Sequence, residues 1–433
     1  MFNTIKNAWK IPDLRKKILY TLLIIIVFRF GSVIPVPFLD ISKLGELMSE
    51  AGQNSALGYI NMLTGGAFSY ASLFAMGITP YINSSIIMQL LTIAIPPLER
   101  LSKEGEEGRK KIATITRYVT VVLGLIQGVA YYFYLRNSGI TKYSAGGAGV
   151  FTAFVIVLTF TAGTALIMWM GEQINEKGIG NGISIILLAG IVARLPVTVG
   201  SLWQYLQLGQ QGQPQYFVLV PLFIVLFLAV VWVIVFMNDA ERRIPVQYAK
   251  KVVGRKMYGG QSSFLPVKVA MSGVMPVIFA SAILSIPQFI QFFVNPTGGF
   301  WKSFFDAFSQ TGWLYTLLYF LLIIMFAYFY MSIQYNPLEM ANNLRQNNGT
   351  IPGIRPGKPT ADFIAKILSK ITLIGALFLA FVALIPIIYS NLTGMHGLMM
   401  GGTSVIIIVG VALETVKQLE SQMMMRHYKG FLD

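Results

Sequence analysis

Catalysis needs nucleophiles, bases or metal ligands at workable spacing, and this chain of 433 residues offers few of them. It contains no cysteine, which removes thiolate nucleophiles, disulfides and thiolate metal sites together. His396 and His427 are its only histidines, too few for most metal sites. No serine–histidine pair and no phosphate-binding glycine loop has usable spacing. The run Gly178-Ile179-Gly180-Asn181-Gly182 has the glycine content of a nucleotide fingerprint. It follows an apolar helix pattern rather than a strand and lacks a βαβ frame, so it reads as a tight turn between helices. No enzyme activity and no cofactor are expected.

The elements that carry these residues are set by hydropathy. Hydrophobic residues make up 55% of the chain and charged residues 12%, outside the range of a water-soluble domain. About 20 apolar residues span the roughly 30 Å of bilayer hydrocarbon at about 1.5 Å per residue. Ten stretches meet that measure, some narrowly: 18–34, 73–95, 112–135, 150–170, 183–199, 217–237, 267–294, 313–333, 364–389 and 403–419. The first resembles a signal peptide, with Lys6, Lys10, Arg15, Lys16 and Lys17 before an apolar run. That run ends in Ile34-Pro35-Val36-Pro37 rather than a small-residue cleavage site, so it is expected to stay as the first span.

Net charge is +15, and its placement gives the orientation. With the N-terminus inside, 27 of the 33 Lys and Arg residues fall on inner segments and five on outer ones, Lys43, Arg136, Lys142, Arg194 and Lys302, with Arg29 inside the first span. Cytoplasmic segments retain such an excess, so an even number of spans with both termini in the cytoplasm is expected. Two inner loops are longer than connection requires. Residues 238–268 carry Arg242, Arg243, Lys250, Lys251, Arg255 and Lys256; residues 334–364 carry Arg345, Arg355 and Lys358 among Gly and Pro. Stiff basic loops suit docking to something anionic, with ribosomal RNA, an acidic motor protein and lipid headgroups as candidates.

The interior is as informative for what it lacks. Charges at bilayer depth cost about 2.5 to 3.5 kcal/mol each and mark ion and proton pathways. Only Arg29, near an outer end, and Glu172, Glu176 and Glu414, at inner ends, come close. That counts against an ion-coupled small-solute transporter, the alternative function, which usually places strong ligands near the midplane. Weakly polar residues punctuate the spans, among them Asn83, Ser84 and Gln89 in the second, Gln127 in the third, and Ser281, Ser285 and Gln288 in the seventh. Most read as helix–helix hydrogen bonds; with Gly77, Pro80, Pro276 and Pro287 they also suit a seam that opens. Before the second span, residues 57–72 are small and too short to cross, so they lie outside the bilayer or enclosed by the bundle.

The order of several long motifs resembles one family over nearly the whole chain. Gly65-Gly66-Ala67-Phe68-Ser69 leads into Gly77-Ile78-Thr79-Pro80-Tyr81-Ile82 and Ser85-Ile86-Ile87-Met88-Gln89-Leu90-Leu91. Further along stand Lys103-Glu104-Gly105-Glu106-Glu107-Gly108-Arg109-Lys110, Gly178 to Ser184, Arg242-Arg243-Ile244-Pro245-Val246-Gln247-Tyr248-Ala249 and Pro352-Gly353-Ile354-Arg355-Pro356-Gly357. These resemble the SecY family, the channel-forming subunits of bacterial protein export.

The resemblance implies an all-α polytopic membrane protein in the bacterial plasma membrane. Its ten transmembrane helices would form two inverted-repeat five-helix halves, 1–200 and 201–433, around an hourglass channel. It implies a pore ring at Ile82, Ile86, Ile183, Leu187, Ile278 and Ile407. A plug over 61–70 would contain Asn61, Gly65, Gly66, Ala67, Phe68, Ser69 and Tyr70. A lateral gate would run between spans two and three on one side and seven and eight on the other, bearing Asn83, Gln89, Gln127, Ser281, Ser285 and Gln288. The basic residues Arg242, Arg243, Lys250, Lys251, Arg255, Lys256, Arg355 and Lys358 would dock the ribosome or the SecA motor ATPase, with SecE and SecG as small partner subunits. Signal sequences and nascent secretory or membrane proteins would be the substrates, with transmembrane segments released into membrane lipid.

Overall fold

A computed structural model describes residues 2–50, 61, 64–143, 145–248, 251–253, 256–258, 262–270, 273–294, 299–308, 312–395 and 402–429. Helix dominates. The chain runs α1 (Phe2–Lys10), α2 (Pro12–Gly31), α3 (Ile41–Glu50), α4 (Thr79–Ala94), α5 (Pro96–Lys103), α6 (Glu106–Asn137), α7 (Gly146–Lys177), α8 (Gly182–Val192) and α9 (Leu195–Gln210). There follow α10 (Tyr216–Asp239), β1 (Glu241–Tyr248), β2 (Lys251–Val253), β3 (Lys256–Tyr258), β4 (Ser262–Lys268), α11 (Met275–Val294) and α12 (Gly299–Ala307). It continues with α13 (Trp313–Gln334), α14 (Pro337–Gln346), β5 (Gly349–Thr350), α15 (Lys358–Thr393) and α16 (Gly402–Lys429).

Among the described residues six helical stretches are long and apolar enough to cross a bilayer: Glu106–Asn137, Gly146–Lys177, Gly182–Gln210, Tyr216–Asp239, Trp313–Gln346 and Lys358–Thr393. The pair α4 and α5 makes a seventh if counted as one, bent by 101° at Ile95. Ile95 precedes Pro96 and is extended, as the pyrrolidine ring demands of its neighbour. Helices α2, α11 and α16 occupy the first, seventh and tenth expected positions. Many large apolar side chains face outward, such as Val218, Val225, Trp232 and Phe236 on α10. On a water-soluble protein that surface would aggregate, whereas in lipid it is the expected one.

Three expected spans start late or are interrupted. The second helix starts at Thr79 rather than near residue 73, because Gly77 turns the chain with a φ of +56° against Thr64. The fifth is interrupted after Val192 and restarts at Leu195, where Pro196 sits in the first helical turn, a place that needs no N–H. The seventh starts at Met275, since Val267 and Lys268 belong to β4.

Small residues let the helices approach closely. Gly124 and Gly128 of α6 lie against Thr164 and Phe160 of α7. A side chain at Gly163 would collide with the Leu73 carbonyl, and one at Gly182 with the Gly171 carbonyl. The run at 178–182 is the tight inter-helix turn its glycines suggest. The Ile179 N–H donates to Thr21 Oγ1 at 3.1 Å, the Gly182 N–H to Asn175 Oδ1 at 2.7 Å, and Asn181 caps α8.

The fold is not wholly helical. The basic segment 238–268 forms strands, and β1 is the centre of a three-stranded sheet between β4 and β5. Its inward residues Ile244 and Val246 pack with Val267, Leu344, Ile351, Ile364 and Leu368 in a core of their own.

Candidate functional site

The residues of the expected ring come from α4, α8, α11 and α16 and converge. Leu187 and Ile407 are buried in one apolar cluster, and Ile82, Ile183 and Ile278 pack against it. Ile86 is buried in the neighbouring cluster, which Ile82 also touches. Period 3.6 explains part of this, since Ile82 and Ile86, and Ile183 and Leu187, are four apart and share a helix face.

An open cavity of about 450 Å³ reaches down to this cluster and has Leu187, Ile278 and Ile407 in its wall. Its polar rim includes Asn181, Lys268, Glu414 and Lys417, at the end of the bundle that bears the basic loops. Lys417 is paired there with Asp239 at 2.7 Å. The cavity wall therefore combines aliphatic side chains of the cluster with amide and charged ones. An aliphatic constriction of this kind closes around a chain without holding it, and a narrow apolar neck disfavours water and ions.

On the far side of the cluster the expected plug residues are enclosed by the bundle, not spread on its surface. Asn61, Thr64, Ala67 and Phe68 are buried, while Ser69 is half-buried and Tyr70 exposed. The segment satisfies its own backbone: the Gly66 N–H donates to the Asn61 carbonyl at 2.8 Å and the Ser69 N–H to Asn61 Oδ1 at 3.0 Å. Gly65 and Gly66 have φ of +66° and +93°, which explains the glycine pair. Arg29, at the end of α2, donates to the Gly65 carbonyl at 3.2 Å. Arg194, in the break between α8 and α9, lies against Gly66. Sequence reasoning placed both arginines at an outer end and gave them no partner.

The expected gate residues lie on helices that do meet. α11 touches both α4 and α6. Asn83, Gln89 and Gln127 are half-buried, and Ser281 and Ser285 are buried. The two serines bond within their own helix, to the Ile278 carbonyl at 2.8 Å and the Ala282 carbonyl at 2.6 Å, so the expectation of bonds between helices does not hold for them. A bond between helices does form at Ser84, whose hydroxyl donates to the Thr116 carbonyl of α6 at 2.8 Å. The Gln288 side chain lies outside what is described.

Among the expected docking residues Arg242, Arg243, Arg355 and Lys358 are exposed. Arg243 pairs with Glu241 at 2.7 Å. Lys250 and Arg255 fall outside the described residues, and of Lys251 and Lys256 only the backbone, in β2 and β3, is described. Spacing gave no sign that the two basic loops are one body. β1 of the first loop pairs with β5 of the second, Gln247 opposite Thr350 and Tyr248 opposite Gly349.

Residues 72–416 match the SecY family. The chain is 44% identical to the protein translocase subunit SecY of Bacillus subtilis over 438 residues, covering 100% of both chains. It is 43% identical to that of Thermus thermophilus over 437 residues, covering 100% of this chain and 98% of the relative. In fold it is similar to a protein-conducting channel, with a TM-score of 0.64 and 19% identity over 94% of this chain and 92% of the other. It is likewise similar to Sec61 in a canine ribosome–channel complex, with a TM-score of 0.63 and 18% identity at the same coverage.

Proposed function

The chain belongs to the SecY family, and from that premise we propose how its residues conduct a polypeptide. As a member it is the protein-conducting channel subunit of a membrane translocase. An unfolded secretory chain enters the cavity from the cytoplasm and passes a gasket made by Ile82, Ile86, Ile183, Leu187, Ile278 and Ile407. It displaces the plug at 61–70 on the outer side. The observation that carries this reading is that Ile82, Ile183, Leu187, Ile278 and Ile407, from four helices, meet in one apolar cluster that also holds Ala67 of the plug segment, with Leu187, Ile278 and Ile407 in the wall of an open cavity.

A signal sequence or transmembrane segment leaves sideways between α4 and α6 on one side and α11 and α13 on the other, driven by its preference for lipid over the aqueous pore. Residues 1–200 and 201–433 act as the two inverted halves, and both termini lie on the cytoplasmic face of the bacterial plasma membrane. The chain carries no recognised nucleotide loop, so the driving force comes from outside. The joined basic loops dock the ribosome or SecA, and SecE and SecG complete the assembly.

The experiment is reconstitution of the chain with its partner subunits in proteoliposomes, supplied with SecA, ATP and a secretory precursor. Protease protection of the precursor is expected. Uptake of small solutes with no protected precursor would favour a transporter.

A further inference from the structure

Among the described residues that line the open cavity, Glu414 is the only carboxylate. It stands on α16 seven positions after Ile407, so the two share a helix face and lie two turns, about 10 Å, apart. Both line the cavity, Ile407 as part of the apolar cluster and Glu414 towards the end that bears the basic loops. The Glu414 side chain is exposed and makes no ion pair with any described residue. Lys417, one turn further along, is engaged instead by Asp239 of α10 at 2.7 Å. Tyr330 and Gln334, one turn apart on α13, line the same cavity.

We infer that Glu414 is a specificity-determining residue that receives the positively charged n-region of a signal sequence while the apolar core of that signal occupies the seam. The inference rests on the proposed channel function and orientation, in which α13 forms part of one flank of the seam. A signal sequence carries Lys or Arg ahead of a run of about 7 to 15 apolar residues. Its two parts need different surroundings: the core prefers lipid, whereas the cations lose their solvation if they follow it past the apolar cluster. They must stop on the cytoplasmic side. The face they reach is itself basic, with Lys268 and Lys417 in the cavity wall and Arg242, Arg243 and Arg355 exposed on the loops. Among those cations a single carboxylate is the place where an ammonium or guanidinium group gains electrostatic energy. With the C-terminus on the cytoplasmic face, α16 runs inward from Ile407, so a cation at Glu414 stops about 10 Å short of the apolar cluster. The apolar core that follows it then begins beside α13. Screening by water keeps the attraction modest, which suits a signal that must later be released.

The test uses the full chain with its partner subunits in proteoliposomes, with SecA, ATP and a pair of precursors. The two share one apolar core and differ only in having lysines or glutamines at the same n-region positions. Glu414→Gln keeps the size of the side chain and removes its charge. Its initial rate of precursor protection is expected to fall about threefold below wild type for the lysine n-region, the scale of a water-screened ion pair, and to equal wild type for the glutamine one. Glu420→Gln, on the same helix but outside the cavity wall, is expected to leave both rates unchanged. Equal slowing of both precursors by Glu414→Gln, or slowing of neither, would overturn the assignment. Slowing of the lysine precursor by Glu420→Gln to the same extent would overturn it too, because loss of any carboxylate on α16 would then suffice. With the lysines moved into the mature segment, Glu414→Gln should match wild type; a slower rate there would mean that Glu414 reads basic residues anywhere in the chain and would contradict the n-region role. A wild-type preparation that protects neither precursor would instead count against the channel reading itself, and the inference would fall with it.

Discussion

Gln247 and Thr350 face each other across an antiparallel ladder although 103 positions separate them, and Thr350 Oγ1 donates to the Gln247 carbonyl at 3.3 Å. That pairing turns two basic loops into a single platform with a shared apolar core. Arg242 and Arg243 on β1 are therefore presented on a surface held in place by the sheet rather than by a long free loop.

The first prediction concerns that surface. Arg355→Glu reverses an exposed charge outside the bilayer, so the protein should fold and insert normally. Association with the motor or ribosome should fall about tenfold and become less salt-sensitive, as expected when a charge at the rim of an interface is inverted. Precursor-stimulated ATPase activity checks this, and wild-type stimulation would remove Arg355 from the docking face.

Beneath the surface the platform has a separate weakness. Val246 is 1% exposed and points into the core between β1, α14 and α15. Val246→Asp should cost about 3 kcal/mol or more by burying an unpaired carboxylate. Limited proteolysis should then cut within 241–268 and 349–357 while the transmembrane helices stay intact.

A third prediction separates backbone conformation from close packing. Gly65 and Gly139 have nearly the same left-handed φ, +66° and +69°. A Cβ on Gly65 meets Gly190, whereas one on Gly139 meets nothing within 4 Å. Gly139→Ala should cost only the conformational penalty of about 1 kcal/mol. Gly65→Ala should in addition unseat the plug segment and raise resting conductance, measured in planar bilayers.

How far the sequence reveals such details depends on the range of the interaction. Helices occur at all ten expected positions because their signal is local, a run of apolar residues of sufficient length. The errors in their bounds have local causes that composition hides. Leu73 to Ile78 are apolar yet turn at Gly77, and the break at Arg194 is visible only as Arg194-Leu195-Pro196 inside an otherwise apolar stretch. The β1 and β5 pairing was not legible, since nothing in either strand names a partner 103 positions away. The bond from the Tyr131 hydroxyl to the Phe68 carbonyl was missed for the same reason: on α6 that tyrosine reads as ordinary core until Phe68, 63 positions earlier, is seen against it. The expected ring residues came from family resemblance alone, because isoleucine at helical spacing is the commonest pattern in any span.

The fourth prediction weakens the gasket itself. Replacing Ile82, Ile183 and Ile278 together by Ser keeps the helices but puts hydroxyls on the cluster that floors the cavity. A wetter neck should pass more ions at rest, and single-channel recording should detect a larger leak than in wild type. An unchanged leak would move the constriction elsewhere.

The central claim, that polypeptide passes through the apolar cluster at the foot of the cavity, is tested most directly by cross-linking. The chain contains no cysteine, so a single cysteine at Leu187 or Ile278 carries a photoreactive probe without competition. With a precursor arrested midway by a folded C-terminal domain, adducts to the translocating segment are expected from both positions, and none from Val225 on the outward face of α10. Adducts absent from Leu187 and Ile278 while the precursor is nonetheless protected from protease would contradict the account.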